Sequence, residues 1–252
     1  MHYCRDSSEE CCPGRDEEVA MTEKIKTLLF MLELGRKEEA KALYGQILEE
    51  LGLKAAAPAG SIAPGLPDQK HDDLSLRQYL TLANVASYFK EDGVAEALLE
   101  ECYNRWPEDV SCMIELAYIY KKLGKHSKSE LMYRAALSYE SDDEVAVREL
   151  GLLYMETGRP LEALCQFQRL LRLSPLNPIA YFLASEALER LGKKERSRKY
   201  LLSSIVMNQA LKEPVMYFTD NEYCIRRLGE SVSTAELLES RDVIDEWLGG
   251  NT

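Results

Sequence analysis

The chain has 252 residues, of which 46% are hydrophobic and 29% are charged, a composition typical of a folded protein. Its formal net charge is −12. Binding to duplex nucleic acid requires many cations on one surface, so this balance argues against nucleic acid as a partner. No run of about 18 or more apolar residues occurs, so we expect no insertion into a membrane.

Residues 1–20 are acidic and lack an apolar core, which predicts a disordered tail and a cytoplasmic location rather than a secretory signal. Cys4, Cys11 and Cys12 in this tail, together with His2, would suit a soft metal ion. The alternative is a disordered tail that carries thiols without a metal. We favour the alternative and predict neither a metal site nor a cofactor.

The seven cysteines are odd in number and contain no Cys-x-x-Cys pair, which argues against a disulfide framework and a zinc finger. Cys102, Cys112 and Cys165 lie within apolar helical patterns. We expect these three thiols to be buried as small hydrophobic groups.

Residues 21–52 carry apolar residues at helical spacing on both sides of Gly35, which predicts a helical hairpin. Residues 53–73 are rich in alanine, proline and glycine and are typical of a linker. One hairpin cannot bury its own apolar face. We therefore expect the hairpin to dock on the following residues of the same chain, with docking on a second chain as the alternative.

Residues 74–211 repeat with a period of 34 residues, giving the units 76–109, 110–143, 144–177 and 178–211. The period recurs at three kinds of position: Gly124, Gly158 and Gly192; Ala83, Ala117, Gly151 and Ser185; Leu82, Leu116, Leu150 and Ala184. Each unit reads as two helices joined at a glycine turn. The small residues suit the points where helix axes approach closely.

The third unit carries the fullest pattern: Val147, Leu150, Gly151, Tyr154, Ala163, Phe167 and Pro175. This pattern resembles the tetratricopeptide repeat family, apart from a missing tryptophan. The resemblance implies an all-α fold, a right-handed α-solenoid of stacked helix-turn-helix hairpins. The first repeat, residues 76–109, has Lys90 in place of the turn glycine, which suggests a lengthened first helix.

Residues 212–252 are predicted to cap the solenoid with helices. Pro214 suits a helix start and Gly229 a helix end. Ser233 and Glu236 form a capping box before a last helix. That helix has Leu237, Ile244 and Leu248 on one side.

The family resemblance also implies a concave groove lined by the first helix of each repeat. The predicted partner-binding residues share one stripe of these helices by helical spacing: Arg77, Leu80, Asn84, Ser87, Ser111, Ile114, Tyr118, Lys121, Arg148, Leu152, Met155, Phe182, Glu186 and Glu189. The alternative for Ile114, Leu152 and Phe182 is burial between neighbouring first helices.

Some family members hold acidic C-terminal peptides with a clamp of lysines and asparagines. Here Leu80, Glu115 and Glu149 replace residues of that clamp, so the clamp is not supported. The apolar residue at the centre of each stripe favours an amphipathic or extended segment of another protein.

Motifs for phosphate, dinucleotide and acyl-transfer chemistry are absent, and we predict that the protein is not an enzyme. Two classes of function remain. The first is an adaptor, scaffold or chaperone-like module that holds a partner segment in the groove. The second is a structural subunit that self-associates or assembles through the N-terminal hairpin or the array ends.

Overall fold

The computed structural model describes residues 13–53, 74–210 and 234–248, and within these ranges the chain forms helices and no strand. The helices are α1 (Pro13–Glu33), α2 (Lys37–Glu50), α3 (Leu76–Tyr88), α4 (Asp92–Arg105), α5 (Val110–Lys122), α6 (His126–Tyr139), α7 (Glu144–Glu156), α8 (Pro160–Leu173), α9 (Pro178–Arg190), α10 (Lys194–Ala210) and α11 (Thr234–Leu248). The predicted fold class, all-α with paired and stacked helices, is confirmed.

The helices divide into two compact units, Met1–Ile119 and Tyr120–Thr252, which we call the first and second unit. In the first unit, α1 packs against α2 and α3, and α3 packs against α4. In the second unit, each helix from α6 to α11 packs against the next one along the chain. The N-terminal Cys and His residues, residues 54–73, Pro214, Gly229 and Ser233 lie outside the described residues.

The N-terminal hairpin lies against α3 of the same chain. Gln78 Nε2 donates to Thr22 Oγ1 at 2.9 Å, and Tyr44 OH donates to Glu91 Oε2 at 3.2 Å. The rings of Tyr44 and Phe89 are 5.3 Å apart. The first helix of this hairpin begins at Pro13, within the segment that the sequence predicts to be a disordered tail.

Lys90 replaces a glycine at the turn between α3 and α4 without lengthening α3, so the expected longer helix is wrong. Lys90 has φ of 63°, close to the 71° of Gly124 in the next repeat. Both turns close with the same hydrogen bonds, because Glu91 N donates to Ala86 O and Lys125 N donates to Tyr120 O. Lysine therefore adopts the left-handed conformation that glycine adopts with less strain.

The helices of the third repeat approach each other closely at Gly151. A Cβ atom built on Gly151 would lie 2.4 Å from Cε1 of Phe167, which is fully buried on α8. In the fourth repeat, Ser185 has the equivalent place and is also fully buried. Ser197 Oγ on α10 donates to the Ser185 carbonyl oxygen at 2.9 Å, so a hydrogen bond joins the two helices there.

Two side chains lie differently from the sequence-based expectation. Cys102 and Cys112 are buried as predicted, but Cys165 is exposed. It precedes the buried Phe167 by two residues, about 200° around the helix, and so lies on the opposite side of α8. At the end of α11, Ile244 is buried while Leu248 is 44% exposed.

We predict that Gly151→Ala lowers the free energy of unfolding by about 1–3 kcal/mol, because the added methyl group would displace the buried Phe167 ring. Gly45→Ala is the control, since Gly45 lies inside α2 with open space around it. That change should instead stabilise the protein by about 0.5–1 kcal/mol. Urea unfolding measures both effects.

In a protein that already carries Phe167→Leu, Gly151→Ala should lower the free energy of unfolding by less than it does in wild type. The smaller leucine side chain leaves room for the methyl group. Equal stability of wild type and Gly151→Ala would contradict a tight contact at this position.

Candidate partner-binding surface

The predicted stripe on α3 alternates between exposed polar and half-buried side chains. Arg77 and Asn84 are exposed, while Leu80 between them is half-buried. Ser87 Oγ donates to Asp92 Oδ1 at 3.3 Å, so this serine also contributes to the turn into α4. Leu80 therefore offers a small apolar surface between two polar neighbours.

The stripe on α5 within the first unit centres on an exposed aromatic side chain. Tyr118 is 40% exposed, Ile114 one turn earlier is half-buried, and Ser111 is exposed. Behind them, Cys112 and Met113 are buried and fix this face of α5 outward. An exposed tyrosine next to a partly exposed isoleucine is a combination that suits protein–protein contact.

In the second unit, the predicted groove residue Lys121 forms an ion pair with Glu149 of α7. Lys121 Nζ lies 2.6 Å from Glu149 Oε2, and the two side chains are only 11% and 14% exposed. Arg148 Nε lies 3.2 Å from the other carboxylate oxygen of Glu149. Two predicted contact residues therefore neutralise a carboxylate of their own chain.

The remaining stripe residues of the second unit differ in their exposure. Met155 and Phe182 are 7% and 9% exposed, so burial, the alternative raised for Phe182, describes both side chains. Leu152 and Glu186 are half-buried, and Glu189 is exposed. The stripe side chains of this unit are therefore more buried than their helical spacing suggested.

A polar network at the α7–α8 turn was not found from the sequence. Arg159 donates to Glu130 at 2.7 Å and lies over the Tyr154 ring at 4.3 Å, and Tyr154 OH donates to Glu130 at 3.1 Å. The hydrogen bond from Arg159 lowers the pKa of the Glu130 carboxyl, and burial raises the pKa of Tyr154. Its members come from two repeats, so no single-repeat motif would reveal it.

Among the described residues, no group of three or more histidine, cysteine, aspartate or glutamate side chains is placed to hold a metal ion. The tail with His2, Cys4, Cys11 and Cys12 is outside those ranges. Within residues 13–53, 74–210 and 234–248, every helix is too short or too polar to cross a membrane.

Comparisons with known proteins agree with the repeat pattern. Residues 110–143 match one family model and residues 148–210 match another, and both are described as tetratricopeptide repeat. No curated protein matches the sequence.

Solved structures of a protein called MamA have a similar fold. "Crystal structure of MamA protein" is 13% identical with a TM-score of 0.57, covering 84% of this chain and 97% of that chain. "MamA MSR-1 C2" is 14% identical with a TM-score of 0.56, covering 76% and 98%. At this identity the likeness concerns the fold alone.

We predict that Lys121→Met lowers the free energy of unfolding by about 1–2 kcal/mol, because it removes a partner from the nearly buried Glu149 carboxylate. Lys122→Met, at the exposed neighbouring position, should change stability by less than about 0.5 kcal/mol. Adding Glu149→Gln to Lys121→Met should restore part of the loss. Thermal unfolding of the four proteins decides, and equal effects at Lys121 and Lys122 would show that the ion pair is not stabilising.

Proposed function

We propose that this chain, which matches tetratricopeptide repeat models over residues 110–143 and 148–210, is a non-enzymatic interaction module that holds a segment of another protein against the first helices of its repeats. In this role it acts as an adaptor, scaffold or chaperone-like protein. The observation that carries the proposal is the exposed Tyr118 beside the half-buried Ile114 on α5.

The stripes on α3 and α5 in the first unit support contact with an amphipathic or extended segment. Leu80 and Ile114 offer apolar surface, and Arg77, Asn84 and Ser111 offer exposed polar groups. A partner helix with one apolar side chain per turn would match this mixture of apolar and polar groups. An extended segment with an apolar side chain at every second residue would match it as well. Tyrosine is also among the residues that most often dominate binding energy at interfaces.

In the second unit, fewer of the stripe residues are accessible to a partner. Leu152 and Arg148 are half-buried, while Met155 and Phe182 belong to the packed interior. We therefore assign these two side chains a supporting role, in which they position α7 and α9. Leu152, Glu186 and Glu189 remain as proposed contact residues.

A cytoplasmic location fits the proposal. Cys102 and Cys112 are buried, Cys165 is exposed, and all three are free thiols. Free thiols are typical of reducing compartments. The net charge of −12 further supports a protein partner over a nucleic acid.

A second candidate function, self-assembly as a structural subunit, is supported by an apolar patch at the end of the N-terminal hairpin. Leu29, Phe30 and Leu34 are 39%, 57% and 55% exposed. Adjacent exposed apolar residues are common at interfaces between subunits. We favour partner binding, because the patch is small and the repeats carry the larger mixed surface.

To test partner binding, a protein captured with the full chain should be purified and its affinity measured for variants. Tyr118→Ala should weaken binding about tenfold or more without changing the melting temperature, since truncating such an anchor costs about 2 kcal/mol. Tyr139→Ala, at a tyrosine 54% exposed on α6, is the matched control and should bind normally.

Phe182→Ala should instead lower the melting temperature, because removing a buried aromatic side chain typically costs about 3–5 kcal/mol. Unchanged affinity of Tyr118→Ala would remove the α5 stripe from the binding surface.

To test self-assembly, light scattering should be performed on the purified full chain. We expect a monomer. A stable oligomer that dissociates in Phe30→Asp but persists in Leu131→Asp, a change at a leucine 62% exposed on α6, would establish the structural-subunit function instead.

A further inference from the structure

A cleft of about 420 Å³ opens between α6 and α8 in the second unit. Arg134, Leu137 and Ser138 line it from α6, and Gln166 and Arg169 line it from α8. Both helices pack on α7, and buried side chains of α7 form the floor. The cleft is on the face of the second helices, away from the stripe that the proposed function uses.

Two guanidinium groups give this cleft a local positive charge in an acidic protein. Arg169 donates to the Ser141 carbonyl oxygen, and among the described residues no carboxylate lies within ion-pair distance of it. Arg134 is 69% exposed and 3.7 Å from Glu130. That carboxylate is closer to Arg159, at 2.7 Å, so Arg134 is a weak partner that a second carboxylate can engage.

The cleft also contains a hydrogen-bond acceptor that lacks a donor in the described part of the chain. Gln166 Oε1 is buried, and no donor in these ranges reaches it. Leaving such a group without a hydrogen bond is unfavourable. Rotation about the last side-chain bond of glutamine is easy, so this amide can turn its oxygen toward a ligand.

These groups fit one ligand chemistry. Guanidinium groups bind carboxylates through charge-assisted hydrogen bonds. An acceptor beside them fits an N–H group next to that carboxylate, as in the backbone of an acidic peptide. Leu137, half-buried on the wall, would contact the aliphatic part of the side chain.

We propose that the cleft between α6 and α8 binds an acidic segment of a partner protein. Arg134 and Arg169 hold a glutamate or aspartate carboxylate, and Gln166 Oε1 accepts a hydrogen bond from a neighbouring backbone N–H. This is a second contact surface, independent of the first-helix stripe.

The test is an NMR titration of the ¹⁵N-labelled full chain with a short blocked alanine peptide that carries two glutamates. A counterpart peptide carries glutamines instead. The glutamate peptide should shift the Gln166 side-chain amide saturably, and the glutamine peptide should not. Because exposed charges are screened, raising the salt concentration should weaken the binding.

Arg134→Gln with Arg169→Gln should weaken binding of the glutamate peptide at least tenfold. Arg172→Gln, at an exposed arginine of α8 that does not line the cleft, is the matched control and should bind normally. If the double variant does not fold, Arg134→Gln alone is tested, because this exposed side chain contributes little to packing and its loss should not prevent folding. Arg134→Gln should weaken binding of the glutamate peptide at least threefold. Tyr118→Ala should leave this affinity unchanged, which separates the cleft from the proposed function.

Three results would overturn the proposal: equal binding of both peptides, equal affinity in wild type and the arginine variants, or no saturable shift at Gln166. A fourth concerns the chain's own acidic residues Glu213, Asp220, Glu222 and Glu230. If the glutamate peptide binds only after these residues are changed to glutamine or asparagine, the chain's own segment occupies the cleft, and the proposal of a partner segment is wrong.

Discussion

The close approach of the two helices within each hairpin is the contact on which the rest of this structure depends. Phe167 lies directly over Gly151, and even one methyl group would not fit between them. The fourth repeat meets the same requirement with Ser185 and a hydrogen bond from Ser197. Because the inner faces are closed this tightly, they have no room for a ligand. Any function must use the faces and turns that this packing leaves outside.

Several polar side chains of the second unit connect consecutive repeats. Lys121 pairs with Glu149, and Arg159 in the α7–α8 turn pairs with Glu130 of α6. Arg190 donates to the Met155 carbonyl oxygen at the end of α7, where helix carbonyl groups lack partners within the helix. These contacts join residues that are about one repeat apart. Charged residues on a repeat protein are therefore poor evidence for a binding site unless their partners within the chain are known.

The 34-residue period predicted the helices, their pairing and the small residues at close contacts, since these follow from local pattern and volume. It failed where a contact involves another repeat or where backbone strain is tolerated. Glycine is the usual residue at a left-handed turn, yet Lys90 adopts φ of 63° there. Phe182 has the spacing of a groove residue, but neighbouring packing buries it. Likewise, nothing in the period of a single repeat indicates that Glu149 would take up Lys121.

The two proposed surfaces of the second unit use different residues of α7. Arg148 and Leu152 belong to the first-helix stripe, whereas Leu150 and Tyr154 form the floor of the cleft between α6 and α8. Glu130 is shared between Arg134 at 3.7 Å and Arg159 at 2.7 Å. If a ligand carboxylate draws Arg134 away, Glu130 keeps its nearer cation and Tyr154 keeps its acceptor. Occupation of the cleft therefore leaves no buried charge unpaired and does not require α7 to move. By this reasoning the two surfaces would bind independently, and only a partner whose linker spans both would gain from their combination.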